Sequence, residues 1–248
     1  ESFRARVEIV ERAVRLQPAV VSWRRDLFWS RSALGDALLS SGDRTGAIAA
    51  FAAARDDATA NGGGEEWARL VSVADIRIGD ALLGDRRPAE ALVRFQAAHA
   101  VRARALAAAP DDRARMRDRR FALERVVNAL LALERVDEAL IAGLDHLALA
   151  QRIVEGVPPE MAAFRDLTRA HYKLARAHQA RGDLPAAEEA AKQAIAVVDQ
   201  RLATFPNDAQ ARPDREFLLR WSKGLHEPRE KQFQIDLPGE PLGTPAAH

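Results

Sequence analysis

The chain has 248 residues, with 37 basic against 36 acidic side chains and a formal net charge of +1, so it lacks the basic excess that draws a protein to nucleic acid. Apolar residues make up 48% and aromatics only 6%, an Ala- and Leu-rich mix that suits closely packed helices, because alanine has no side-chain entropy to lose. Cysteine is absent, no apolar run reaches the roughly 18 residues of a membrane span, and no basic-then-apolar leader is visible, which excludes disulfides and spanning helices and makes the cytoplasm the default location.

Period-two β-branched runs are missing, and the expected class is all-α. Ten helices are predicted, over about 1–17, 20–41, 44–60, 65–83, 86–108, 112–134, 136–156, 160–181, 184–204 and 210–224. The first has no partner helix before it. Phe3 falls in register with Phe51 and Phe95, so the chain is expected to open in mid-repeat and the natural polypeptide to extend upstream. From there four series recur. Pro110, Pro158 and Pro206 stand 48 residues apart, with Gly62 and Pro18 at the earlier sites. Asp118, Asp166 and Asp214 keep the same step, preceded by Leu70 and Asp26. Ala47, Ala91, Ala139 and Ala187 form the third series, and Gly35, Gly79, Val127 and Ala175 the fourth. One period in four series marks an internal repeat.

Each unit has the same punctuation: a Pro or Gly site, an Asp-containing helix start, a small residue in mid-helix, a turn and an Ala-rich second helix. The turns are Ser41-Gly42-Asp43, Leu83-Gly84-Asp85 and Arg181-Gly182-Asp183, stop and restart signals for helices, with the one at Gly84 read as two residues shorter than that at Gly42. The recurring Asp is expected in the first turns of its helix, where the dipole favours an anion by about 0.3–1 kcal/mol. Residues 225–248, with Pro228, Pro238, Pro241 and Pro245, read as a linker or a surface strap. In the strap reading Phe233, Ile235 and Leu237 dock on the last helix.

Trp23-Arg24-Arg25-Asp26-Leu27, then Gly35-Asp36-Ala37-Leu38, Gly42-Asp43 and Ala47 with Phe51, resembles the tetratricopeptide repeat (TPR). Glu66-Trp67, Gly79-Asp80-Ala81-Leu82 and Ala91 with Phe95 match nearly as well. Arg117-Asp118 and Arg165-Asp166-Leu167 keep part of the pattern without the Trp and the mid-helix Gly. The likeness covers residues 1–224 and is to a long variant, near 48 residues rather than the usual 34, seen in bacterial multidomain proteins. The resemblance implies a right-handed α-solenoid of helical hairpins, often set beside effector or signalling domains, that holds a protein or peptide partner. One hairpin cannot bury its own apolar face, so neighbours stack. Gly35 and Gly79 are then expected to meet the helices of Ala47 and Ala91, and Trp23 and Trp67 to be buried between hairpins.

Catalytic signatures are missing. His171 and His178 lie too far apart along a helix for one metal site, and no His-Glu-x-x-His, phosphate loop or nucleophile elbow occurs. Asn61-Gly62-Gly63-Gly64 reads as a turn rather than a phosphate cradle, since no strand precedes it. Glu188-Glu189 and Asp111-Asp112 are expected to face water. The segment is therefore read as non-enzymatic, without cofactor or metal. Arg113 to Arg120 is the densest basic run. With overall neutrality and no interleaved aromatics it reads as a solvated helix start, with Arg117 and Arg119 paired to acids, rather than as a nucleic-acid patch.

The resemblance places the first helix of each pair on a concave face. With about 100° per residue, the groove positions are Trp29, Ser32, Ala33 and Asp36, then Val73, Ile76, Arg77 and Asp80, then Phe121, Glu124, Arg125 and Asn128, and last Arg169, Tyr172, Lys173 and Arg176. This wall runs from acidic and apolar to strongly basic. Its charges either merely solvate the wall or receive an acidic or carboxylate-bearing segment of a partner, which includes another domain of the same polypeptide. Tyr172 and Phe121 are expected to offer flat apolar contact. The Lys/Asn pattern of a chaperone-tail clamp is not reproduced, with Ser32 and Asp36 at those sites. The alternative function is a structural array for self-assembly or for clamping an attached domain.

Overall fold

The computed structural model describes residues 2–156 and 158–226. In them follow α1 (Ser2–Leu16), α2 (Val21–Ser40), α3 (Arg44–Ala60), α4 (Glu65–Gly84), α5 (Pro88–Ala108), α6 (Arg113–Ala132), α7 (Val136–Val154), α8 (Met161–Arg181), α9 (Leu184–Thr204) and α10 (Ala211–Lys223), closed by a 3-10 turn at Gly224–His226. No strand occurs among the described residues. The fold is all-α, and each predicted helix is present with its ends shifted by two residues at most. The tail and the docking of Phe233, Ile235 and Leu237 lie outside the described residues.

The chain divides into two compact units, Glu1–Pro110 and Asp111–His248. In the first, α2 to α5 each pack on the helix before them, and in the second α7 to α10 do the same. Helix starts are capped by local chemistry. The Asp43, Asp112 and Asp183 carboxylates accept from Gly46, Ala114 and Ala186 backbone N–H groups at 2.8, 2.8 and 3.2 Å, which satisfies donors the first turn leaves open. Asp112 is thus a cap rather than a free surface charge. Pro88 opens α5, where a missing N–H costs nothing.

The turns correct one expectation. Gly84 is the last residue of α4, and the left-handed position of that turn is Arg86 (φ 59°), 44 residues after Gly42 (φ 87°). The series continues at Glu134 (φ 57°) and Gly182 (φ 83°). All four turns close with one bond geometry: the N–H groups of Asp43, Arg87, Arg135 and Asp183 donate to the carbonyls of Leu38, Leu82, Leu130 and His178 at 2.9–3.0 Å. The turn after Gly84 is therefore not shorter than the one at Gly42.

Inside the first unit the small residues sit as expected. A Cβ on Gly35 would stand 2.6 Å from Cδ1 of Phe51 on α3, and one on Gly79 would stand 2.7 Å from Cδ1 of Phe95 on α5. The two phenylalanines fill the space left by the glycines, and both are fully buried. Trp67 packs with Phe28, Ala54, Ala58, Leu70, Val73 and Ala74. Trp23 is only half-buried, its Nε1 donating to Gln17 at 3.3 Å, because it follows the single helix α1 whereas Trp67 follows a complete hairpin. Phe3 is 42% exposed, and Val7 and Val10 are the buried residues of α1. The register of α1 thus runs in the 44-residue step: Val7, Val10 and Val14 correspond to Phe51, Ala54 and Ala58.

The recurring Asp keeps its expected place in the first turn only at Asp214. Asp26, Asp118 and Asp166 are the sixth residues of their helices, beyond the turn over which the dipole acts. Asp166 instead meets Arg120 (3.1 Å), and the buried Asp214 meets Arg201 (2.7 Å), a fully buried guanidinium that also grips Asp208 at 2.5 Å.

Candidate partner-binding face

The expected groove residues fall into two groups with different surroundings. In the first unit, Trp29 is 37% exposed, its ring edge-on to Phe28 at 5.0 Å. Asp36 and Asp80 are half-buried. Arg77 of α4 is buried, ion-paired with Asp36 of α2 and set over the Phe51 ring at 5.7 Å. Burial raises the Asp36 pKa, and the Arg77 charge and hydrogen bond work against the rise. This wall is largely self-neutralised: α2 and α4 together carry five basic and six acidic side chains.

The first helices of the second unit are different. Together α6 and α8 carry eleven basic and three acidic side chains. Phe121, Arg125 and Asn128 lie on one side of α6 at i, i+4 and i+7, and Arg169, Tyr172, Lys173 and Arg176 lie on one side of α8. These two helices touch. The Arg125 guanidinium rests over the Phe121 ring at 4.7 Å, while Lys173 and Arg176 stand 5.9 and 6.0 Å from the Tyr172 ring centre. Such stacking holds cations beside aromatic faces where water is scarce.

Burial corrects part of the expected list. Tyr172 is covered by α10, edge-on to Phe217 at 5.6 Å and Trp221 at 5.0 Å, so it offers no open face. Lys173 is fully buried and Arg125 nearly so. Phe121, Asn128, Arg169 and Arg176 remain half-buried and border solvent. Long side chains shield the wall because their stems pack on apolar neighbours.

Beneath this face lies a polar cluster that sequence reasoning missed. Glu124 and His146 are both fully buried, and Arg120 joins them. Its Nη1 donates to Glu124 Oε2 at 3.0 Å and lies 3.2 Å from His146 Nε2, and its Nη2 pairs with Asp166 at 3.1 Å. Since a guanidinium only donates, Nε2 must accept, which puts the imidazole proton on Nδ1. Burial pushes the Glu124 pKa up, but Arg120, Arg125 and Arg169 outweigh it and hold the group well below the usual carboxylate range. His146 is pushed down to about 3, chiefly by burial; Glu124 opposes this, and Arg120, Lys173 and Arg169 add to it. Burial raises Asp166 in spite of Arg120. The signals available were the i, i+4 spacing of Arg120 and Glu124 and the single histidine of α7, in line with the apolar Leu149 and Ile153 at i+3 and i+7.

The remaining arginines of the 113–120 run are paired at the surface, as the charge pattern suggested. Arg113 and Arg117 both meet Glu160, Arg115 meets Asp112 at 3.4 Å, and Arg119 meets Asp145 at 3.9 Å. Asn61 ends α3 and is held by Arg24 at 2.8 Å, so the glycines after it form a turn. Among the described residues, no group of three or more His, Cys, Asp or Glu is placed to hold a metal ion, and no helix is long and apolar enough to cross a membrane.

Neither protein-family profiles nor curated proteins give a match to this sequence. Solved structures do. A kinesin light chain-like protein of Podosopora anserina with nearly identical TPR-like repeats aligns with a TM-score of 0.57 at 18% identity, over 82% of this chain and 89% of its own. A variant of that protein gives 0.59 at 18% identity, over 81% and 89%. BtubC (BKLC) from P. vanneervenii gives 0.60 at 14% identity, over 91% of each chain. This is a TPR-like repeat fold. In such arrays each hairpin contacts only its neighbours. In this TPR-like chain the α6/α8 wall is where charge of one sign gathers.

Proposed function

We propose that the array is a protein- or peptide-binding module and that the α6/α8 wall receives an acidic or carboxylate-bearing segment of its partner. The observation that supports this is the charge of the wall itself: Arg125, Arg169, Lys173 and Arg176 against the single acid Glu124 at the groove positions of α6 and α8, in a chain whose net charge is +1. Guanidinium groups suit the task because they grip carboxylates in a bidentate, planar geometry. Arg169 and Arg176 are the contact residues, with Asn128 and Phe121 beside them. Arg125 and Lys173 supply field from beneath. Such a module serves as the scaffold or sensor part of a larger bacterial protein, and the segment it holds belongs to another protein or to the same polypeptide.

The test uses a fluorescein-labelled oligoglutamate peptide and its oligolysine counterpart as probes of the whole chain. The glutamate peptide binds, more weakly as salt rises, since charges at the surface are screened over roughly 8 Å at physiological ionic strength. Arg169→Gln combined with Arg176→Gln abolishes binding while helical content and melting temperature stay close to the parent's. Equal binding of both peptides, or unchanged binding by the double variant, overturns the reading. The alternative is a structural array for self-assembly or clamping of an attached domain; Ile9 and Leu16, both about 70% exposed on α1 and seven residues apart on one side, favour it. A mass measurement showing a concentration-dependent dimer selects that alternative.

A further inference from the structure

Two ion-pair staples in the first unit share two of their three positions in the register and have opposite polarity there. Arg31 of α2 reaches back to Glu11 on α1 at 2.9 Å and across its own hairpin to Asp57 on α3 at 2.6 Å, with the Ala53 carbonyl accepting a further bond at 3.1 Å. One repeat later Asp75 of α4 accepts from Arg55 on α3 at 2.7 Å and pairs with Arg94 on α5 at 3.3 Å. Glu11 and Arg55 are 44 residues apart, and so are Arg31 and Asp75. This is the step that carries Val7 onto Phe51, Trp23 onto Trp67 and Gly35 onto Gly79. The acid on the second helix becomes a base, and the base on the first helix becomes an acid.

Inside each hairpin the packing beside these staples is repeated. Gly35 against Phe51 and Gly79 against Phe95 are the same interdigitation made twice. Apolar complementarity inside the hairpin therefore does not tell α2 from α4 as the hairpin partner of α3 or α5. Tandem repeats with such like surfaces are prone to misassembly. In the second unit this problem does not arise, since the same two positions hold Val127 with Gly143 and then Ala175 with Ala191, so side-chain size differs between repeats. The staple register there holds Leu123, Gln151, His171 and Asp199 and carries no opposite charges.

We infer that the reversed staples are a register code that fixes which first helix each second helix accepts and rejects the out-of-step neighbour, within one chain or between two copies. If α1 docked on α4, Glu11 would face Asp75. If α3 docked on the α2 of another copy, Arg55 would face Arg31. Asp75 is 1% exposed and the other members are partly shielded, so salt screens the repulsion weakly. Specificity of this kind comes from penalising the wrong pairing as much as from favouring the right one.

The test makes the two staples alike in the full chain. Arg31→Asp alone sets three carboxylates together and lowers the melting temperature. Glu11→Arg/Arg31→Asp/Asp57→Arg gives the first staple the polarity of the second and recovers a melting temperature near the parent's. After refolding from urea over a range of concentrations, this triple variant yields a several-fold larger fraction of species above the parent's mass, as read by light scattering on a sizing column. The mirror exchange, Arg55→Glu/Asp75→Arg/Arg94→Glu, behaves the same way and stands in if the first triple fails to fold. A triple variant that refolds as cleanly as the parent overturns the code. So does a single reversal that melts like the parent, or failure of both exchanges to recover stability.

Discussion

Glu134 holds a left-handed backbone (φ 57°) in the turn between α6 and α7, at the position that Gly42 and Gly182 fill in two of the other turns. An L side chain there crowds its own carbonyl at a cost of about 1–2 kcal/mol. Glycine avoids the crowding but loses more conformational entropy on folding, by roughly 0.5–1 kcal/mol. The Glu134 side chain is exposed, and the closing bond from Arg135 N–H to the Leu130 carbonyl uses only backbone. Glu134→Gly is therefore expected to stabilise the protein by about 0.5–1 kcal/mol, read as a higher urea midpoint with an unchanged slope. A lower midpoint would mean that the side chain makes a contribution of its own. The position was hard to find in the sequence because Gly84, a residue of the right type, stands two places before the left-handed residue Arg86.

At the level of helices, the pattern of Ala-rich segments between Gly, Pro and Asp signals fixed element number and bounds, because these signals are local. Pairing partners were less legible. Trp67 is enclosed by Phe28 from α2 and by Ala54 and Ala58 from α3, whereas Trp23, in the same register, meets a single preceding helix and stays half-exposed. Equal residue types in a repeat acquire unequal energies from what stacks on them. Trp67→Ala is expected to cost about 3–5 kcal/mol, the range for an aromatic removed from a core, and Trp23→Ala distinctly less. Urea unfolding of both variants checks this, and equal losses would show that the hairpin before Trp67 contributes nothing. The mid-helix glycine also looked lost in the third repeat. The register places Val127 on the first helix and Gly143 on the second, where a Cβ would meet Leu174 of α8 at 3.5 Å.

For the molecule as a whole, a net charge of +1 conceals first helices that are balanced in one unit and strongly basic in the other. Helical spacing revealed which side of α6 and α8 bears the cations. It did not reveal that Tyr172 and Lys173 lie beneath the surface, because α10, which covers Tyr172, is distant in sequence. The burial has a thermodynamic consequence through His146. In an unfolded chain this imidazole titrates near 6.5, and in the fold its pKa is pushed down to about 3. Between those values the folded protein binds fewer protons than the unfolded chain, so its stability is complete above pH 6.5 and falls as the pH drops, by roughly 1.4 kcal/mol per unit well below 6.5. Burial depresses His171 and His178 as well, which adds slope of the same sign. Carboxylates raised by burial, Asp36, Asp57 and Asp166, have the opposite sign, with folded values above their ordinary 3.8. The melting temperature is expected to decline from pH 7.5 to 5.5. In His146→Gln, whose amide oxygen still accepts from Arg120 but does not titrate, the decline should be shallower while the value at pH 7.5 changes little. If the variant follows the parent's curve, the histidine is protonated in the fold and the Arg120 bond to Nε2 does not form.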